Sequence, residues 1–407
     1  MRATTPGEGS ELPVSTALHA QQPRRALARV NLAAIERNCA RMRSELDGHE
    51  ELCAVVKADG YGHGAVPSAL AAVAGGASWL AVAGSREAVE LRRAGVIEVR
   101  ILVMGALSPV ELREALDADA DVVVWREDSV HAVAAAGGGR VHVKLDSGMG
   151  RLGTRDLREA SAVSTLAAKT PNVQLAGVMT HFATADQRGD DFFGRQIELF
   201  SGWAHSIKEV HPGVLVHAAN SAATLRDKRS HFDMVRCGIA IYGMDPFGED
   251  PAASSLDPAL ELVSYVAEVK RCAVGESAGY GRRFVAQTDT VLAVLPIGYG
   301  DGWRRALSNN GDVLIDAQRR PIVGTVSMDN LTVDLGAPPT SGAVRGAEAV
   351  LIGARGGERI TAEELAREMG TINYEVTCAL TPRVPRVYHR DGEPVGAVPG
   401  ESSVDSR

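Results

Sequence analysis

Cys53-Ala54-Val55-Val56-Lys57, followed at once by Ala58-Asp59-Gly60-Tyr61-Gly62-His63-Gly64, is the stretch on which the reading of this chain turns. An apolar run with no polar alternation predicts a strand buried on both faces, as in a parallel sheet. Working outward, similar short runs recur at 80–83, 101–104, 122–125, 142–145, 175–180, 215–219 and 235–241. Helical signals lie before and between them. Leu32, Ile35, Cys39, Met42 and Leu46 recur every three or four residues, the spacing of one helix face. Ser108-Pro109-Val110-Glu111 joins an N-cap serine, a first-turn proline and a glutamate three residues after the cap. Gly95, Gly105 and Gly153 punctuate the connections. This alternation predicts an α/β fold, a closed (β/α)8 barrel of the TIM type; a doubly wound open sheet fits the same strand count.

The texture changes near Asp257. Runs at 263–269, 290–295, 313–316 and 331–335 are of β type, and Asn309-Asn310-Gly311 reads as a tight turn. Thr361-Ala362-Glu363-Glu364 reads as a capping box opening a single helix. The expected organisation is a disordered polar leader over 1–24, a barrel over 25–254, a mostly β domain over 255–390 and a disordered tail over 391–407.

The bulk numbers exclude several classes. The chain has 407 residues, 45% apolar and 23% charged, with net charge -8. No basic stripe is visible, so nucleic acid is not an expected partner. No apolar run is long enough to span a membrane, and the leader lacks the apolar centre of a secretory signal. The five cysteines are scattered, with no CxxC pair, so neither zinc, nor any other metal, nor a disulfide scaffold is expected. A cytoplasmic enzyme is the expectation.

Functional residues of a barrel collect at the C-terminal strand ends. Lys57 ends the first predicted strand, where desolvation lowers an amine's pKa as Schiff-base chemistry requires. A lysine whose head simply reaches solvent is the other reading. The glycines after it allow close backbone approach to a ligand. His181 ends the sixth run, where a lone histidine is more often a satisfied structural residue than one that stacks on a ring. Asn220 and Ser221 begin a helical run and can cradle a phosphate or merely cap the helix. Arg236 lies inside an apolar strand and needs a partner, a structural ion pair being one option; Gly238 follows it. An amine, phosphate donors and a buried arginine together suggest a pyridoxal-phosphate site.

At this point the chain resembles the alanine racemase family. The segment 54–64 is similar to the family's cofactor-lysine segment, and Lys144-Leu145-Asp146-Ser147-Gly148-Met149-Gly150-Arg151-Leu152-Gly153 to its second signature. Thr180-His181-Phe182-Ala183, His217-Ala218-Ala219-Asn220-Ser221 and the run 235–243 also match. So do Ala278-Gly279-Tyr280-Gly281, Ile297-Gly298-Tyr299-Gly300-Asp301-Gly302, Ser327-Met328-Asp329-Asn330 and Ile372-Asn373-Tyr374-Glu375. The resemblance runs from about 29 to 388.

The resemblance implies that Lys57 forms the cofactor imine and is the base on the D face, with Tyr280 of a partner subunit the base on the L face. It implies that Arg236 hydrogen-bonds the pyridine nitrogen. Tyr61, Ser221, Gly238, Ile239 and Tyr374 would hold the phosphate, with Asn220 nearby. His181 would support the ring, and Arg151 would bind the phenolic oxygen. Met328, beside Asp329, would contact the substrate carboxylate in trans, and Tyr299 would line the way in. Lys144 matches a lysine that can be carbamylated; an unmodified structural lysine is the alternative. A homodimer with shared active sites, pyridoxal 5'-phosphate as cofactor and D-alanine supply for peptidoglycan are the further implications.

Other members of the same scaffold remain in view at this stage. A decarboxylase of basic amino acids would place a carboxylate where Arg236 stands. A cofactor carrier would lack the β domain bearing Tyr280 and Met328. A racemase acting on serine or lysine is a further reading, although no signal peptide or disulfide pair points to a periplasmic broad-range enzyme.

Overall fold

The computed structural model describes residues 24–338 and 345–396. Eight parallel strands form a closed barrel: Glu51–Val55, Trp79–Val82, Arg100–Val103, Ala120–Val124, Gly139–Lys144, Val173–Met179, Leu215–His217 and Met234–Cys237. Closure is direct, since Glu51 pairs with Met234 and Cys53 with Arg236. The open-sheet alternative is thereby excluded. The strands are apolar because both faces are covered; every residue of Ala120–Val124 is buried.

The helices form where the sequence signals place them. Leu32–Arg43 buries Leu32, Ile35, Cys39 and Met42, the face read from their spacing, and ends before Leu46. Pro109–Asp117 opens with the full capping box: Glu111 donates its N–H to Ser108 Oγ at 3.4 Å, and Ser108 donates its N–H to Glu111 Oε2 at 2.9 Å.

Every barrel strand stops at least one residue short of its apolar run, and two of these breaks shape the site. The first ends at Val55. Lys57 then opens a turn in which Ala58, Asp59, Gly60 and Tyr61 have φ of 53°, 53°, 59° and 54°. Left-handed backbone costs a non-glycine residue roughly 1–2 kcal/mol, so Ala58, Asp59 and Tyr61 together need outside support. The eighth strand ends at Cys237, and the chain turns through Gly238 into a 3-10 turn over Ile239–Tyr242.

The C-terminal half is mostly β. The predicted strand 263–269 divides: Leu260–Tyr265 joins a large sheet, while Glu268–Cys272 joins a three-stranded sheet with Thr290–Leu295 and Leu331–Gly336. Asn309-Asn310-Gly311 lies before a hairpin rather than in it. The reversal between Asp312–Ile315 and Gln318–Pro321 falls at Asp316 and Ala317, both at positive φ. Two helices follow where one was expected, Ala362–Met369 and Asn373–Cys378. Thr361 caps the first, but the Glu364 carboxylate turns to Arg319, its Oε2 accepting from Nη2 at 2.9 Å, instead of completing a box.

Ala26–Asn31 is a strand that the sequence pattern did not reveal. It runs antiparallel to Leu260–Tyr265 and parallel to Arg386–Arg390, partners more than 200 residues away. Arg29 in this strand pairs with Glu261 at 2.8 Å and Glu348 at 2.6 Å. Arg355 pairs with the same two carboxylates, closing a ring of four charges. Order continues past Arg390. Asp391 accepts from Arg37 and Asn31, and Glu393–Pro394 pairs back on Arg386–Arg390. The rest of the expected tail, and all of the expected leader but residue 24, lie outside the described residues. Among the described residues no helix is long and apolar enough to cross a membrane, and no cluster of three or more His, Cys, Asp or Glu is placed to hold a metal.

Candidate active site

A cavity of about 440 Å³ opens at the C-terminal ends of the barrel strands. Lys57, Tyr61, Lys144, Arg151, His181 and Arg236 line it, as do Asn220, Ser221, Gly238, Ile239 and Tyr374. Residues from five strand ends and from the C-terminal helix Asn373–Cys378 therefore converge as expected.

One end of the cavity is a cradle of neutral donors. Ser221 Oγ accepts from Gly238 N at 3.0 Å and Ala240 N at 3.3 Å. Asn220 caps the next helix, its Oδ1 accepting from Ala223 N at 2.9 Å. A Cβ on Gly238 would lie 2.4 Å from the Tyr61 hydroxyl oxygen, so only glycine lets that hydroxyl approach. Burial holds the Tyr61 and Tyr374 phenols above the usual range. Both stay protonated at neutral pH and can donate to an anion.

The middle of the cavity is set by Arg236, which is fully buried. Its Nη2 donates to Thr180 O and Ala218 O, each at 2.9 Å, and lies 3.3 Å from His181 Nδ1. Its Nη1 donates to His217 Nδ1 at 2.8 Å. Its partners are carbonyls and imidazoles, so the ion-pair alternative does not hold. Burial lowers its pKa to about 10, which leaves it a cation at neutral pH. His181 is held well below the usual histidine range by burial and then by the Arg236 charge, so its ring is neutral.

Two amines face the same space. Lys57 is lowered by burial first and the Arg151 charge second, the direction a reactive amine needs. Lys144 is lowered to about 8 by burial and then by Arg236.

Tyr280, Tyr299, Met328 and Asp329 are not among the residues lining this cavity. Tyr280 is 74% exposed and Met328 52% exposed. They share one loop neighbourhood: Thr325 Oγ1 donates to Tyr280 O at 2.8 Å, Tyr299 N to Ser327 O at 3.0 Å and Gly300 N to Met328 O at 2.9 Å. Arg383 holds Asp329 at 2.6 Å.

Several residues were missed by the sequence reading. His217 and His142 lie behind Arg236, and Asp121 lies behind His142. A histidine inside each of two apolar runs was the available signal. Cys378 also lines the cavity.

Barrel and cavity together define the class: a barrel enzyme with a lysine amine facing its cavity just past the first strand, joined to a β-rich C-terminal part. The family profile described as the alanine racemase N-terminal domain matches residues 30–246, and that of the C-terminal domain matches 259–388. An alanine racemase of Halalkalibacterium halodurans is 40% identical over 373 residues, covering 89% of this chain and 95% of the relative. The solved alanine racemase of Streptomyces coelicolor superposes with a TM-score of 0.83 at 38% identity, covering 89% of this chain and 98% of that one. That of Bacillus anthracis, with bound L-Ala-P, gives 0.83 at 37% identity, covering 92% and 97%. The chain belongs to the alanine racemase family.

Proposed function

We propose that this chain interconverts L-alanine and D-alanine, using pyridoxal 5'-phosphate held in the barrel cavity. The observation that carries the reading is the meeting, in one cavity of about 440 Å³, of the Lys57 amine, a buried arginine and the Ser221–Gly238–Tyr61 cradle. The residues fit the group: a cavity of this size suits a cofactor, and the hydroxyls and bare glycine at one end suit a phosphate. Bound there, the cofactor would join the amino acid and acidify its α-hydrogen by delocalising charge.

The protein's own part is positional and acid–base. Lys57 Nζ holds and returns a proton on one face of the substrate's α-carbon. Tyr280 of a partner subunit does so on the other face. Arg236 is a donor that does not give up its proton, so it favours an unprotonated ring nitrogen beside it. Tyr61, Ser221, Gly238, Ile239 and Tyr374 hold the phosphate, with Asn220 setting the helix start. His181 supports the ring and Arg151 its phenolic oxygen. Met328 and Asp329 of the partner flank the substrate carboxylate, and the partner's Tyr299 lines the approach. Lys144 is a candidate for carbamylation, because an amine with a pKa of about 8 is partly neutral at physiological pH.

The exposed apolar Tyr280, Tyr299 and Met328 support a homodimer in which the β part of one chain caps the barrel of the other. We read the chain as a barrel unit and a β unit, with Ala26–Asn31 paired in the latter's sheet. Cytoplasmic D-alanine supply for peptidoglycan is the physiological reading. The test is to give the purified, cofactor-loaded protein a panel of single L-amino acids. L-alanine should proceed to equal L and D amounts faster than serine or lysine. Absence of D-alanine would remove the assignment.

A further inference from the structure

We infer that His63 is a positioning residue: its Nδ1–H pins the left-handed turn over 58–61 and so fixes Lys57 relative to the Tyr61 hydroxyl. This rests on the proposed cofactor role of those two residues. His63 Nδ1 lies 3.1 Å from Gly60 O and 3.1 Å from Tyr61 O. Both oxygens can only accept, so the proton is on Nδ1 and Nε2 is bare. In agreement, Nε2 is buried with no partner among the described residues, and burial lowers the ring's pKa to about 4, which keeps it neutral.

The ring also acts through a stack. His63 lies 4.6 Å from the Tyr242 ring, and Tyr242 lies 5.0 Å from the Tyr61 ring. The Tyr242 hydroxyl donates to Val55 O at 3.1 Å, on the strand that leads to Lys57. The other supports hold different parts of the turn: Glu87 accepts from Ala58 N at 2.7 Å, and Arg386 donates to Gly62 O at 3.1 Å. His63 is thus the side chain that grips the Tyr61 carbonyl, next to the Cα that carries the cavity-lining phenol.

Isosteres separate this role from simple packing. In His63→Asn the amide nitrogen can occupy the Nδ1 position, whereas in His63→Gln it reaches only the Nε2 position. His63→Leu fills space with no donor. Each protein is stripped of cofactor and titrated with pyridoxal phosphate, following visible absorbance. His63→Asn should bind within about threefold of the parent, while His63→Gln and His63→Leu should bind about 10–100-fold more weakly, as expected for a buried acceptor left unpaired. Equal binding by all three, or loss with Asn as large as with Leu, overturns the inference. If the parent fails to bind pyridoxal phosphate, the cofactor reading falls instead. The pin is then judged by nitrogen NMR of 15N-histidine-labelled protein, which also decides the matter if Gln and Leu do not fold. The signal lost in His63→Asn should show a protonated Nδ1 and a bare Nε2, and the opposite tautomer overturns the pin.

Discussion

The Arg236 guanidinium donates to Nδ1 of His217 at 2.8 Å, and that bond sets the polarity of a buried chain across the barrel. An arginine offers only donors, so His217 Nδ1 must be the acceptor and its Nε2 must carry the proton. That Nε2 lies 2.8 Å from His142 Nδ1, and His142 Nε2 lies 2.9 Å from Asp121 Oδ2. Every proton points from the cavity toward one carboxylate, which Arg140 and Arg100 also hold. Burial pushes both histidines below their usual range, so they are neutral links, and the Arg236 cation stands at the inner end of this chain.

Arg236→Glu should therefore change what the site does as well as how fast. A carboxylate beside the ring nitrogen favours its protonated form. Racemisation should fall on the order of 100-fold, as for loss of one aimed donor at a reacting group. Transamination should rise as a fraction of turnover, and the visible spectrum with alanine should change. An unaltered spectrum and side-product ratio would show that Arg236 does not address the ring.

Buried neutral histidines also make stability depend on pH in a defined window. His63 has a folded pKa of about 4, below the unfolded value near 6.5. Between those values the unfolded chain binds more protons, so stability rises with pH and is lost as pH falls from about 6.5 toward 4. For this one ring the loss at pH 5 is about 2 kcal/mol. His142, His181 and His217 shift in the same direction. Urea midpoints at pH 7 and pH 5 should differ more in the parent than in His63→Asn, which has no group to titrate there. Identical differences would mean that His63 is charged or solvated in the folded state.

Lys57→Ala removes the amine that faces the cavity. The variant should lose the visible absorbance of the bound cofactor and at least about 1000-fold of its turnover, since both amine linkage and acid–base transfer go with it. Retention of the parent absorbance after gel filtration would show that another amine, Lys144 first, carries the cofactor.

How legible was this from sequence? The barrel was, because strands buried on both faces and capped helices leave local patterns, as at Cys53–Ala54–Val55 and Ser108–Glu111. The cavity residues were legible only through short motifs around Lys57, Arg151, Ser221 and Arg236. Ala26–Asn31 was not, because its ladder partners lie beyond residue 259 and nothing local announces them. The break after Val55 was hidden too. Its left-handed turn is held by the neighbouring His63 and by tertiary contacts from Glu87 and Arg386, which outweigh local preference at Ala58 and Asp59. The histidine chain left only a histidine in each of two apolar runs as its signal, because strands far apart in sequence must lie side by side before His142 and His217 meet.

The exposure of Tyr280 leads to a mixing experiment. If it completes a partner's cavity, Lys57→Ala and Tyr280→Phe homodimers are each inactive for a different reason. A heterodimer has one site with both bases and one with neither. Equimolar mixing under subunit exchange should restore activity, up to about a quarter of the parent at a statistical mixture, since half the dimers then carry one good site of two. Verified exchange with no recovery would place Tyr280 in its own chain's site or outside catalysis.

Face selectivity is the most direct test of two bases. Lys57 lines the barrel cavity, while Tyr280 stands exposed on the β part, so under the proposed dimer the two would reach a shared substrate from different sides of an interface. If each serves one face of the α-carbon, removing one should harm one enantiomer first. Tyr280→Ala should suppress exchange of the α-hydrogen of L-alanine for solvent deuterium by on the order of 100-fold or more, the usual scale for loss of a general base. D-alanine should still exchange through Lys57, with its configuration largely kept, because no donor remains to deliver deuterium to the opposite face. The equilibrium ratio of enantiomers stays at one, since a catalyst alters only rates. A tyrosine that merely packs between subunits makes a different forecast: both exchanges fall together, in step with lost dimer or lost cofactor. Measuring both exchange rates at full cofactor occupancy separates the cases. Parallel losses there leave Lys57 as the only base and require another donor for the far face.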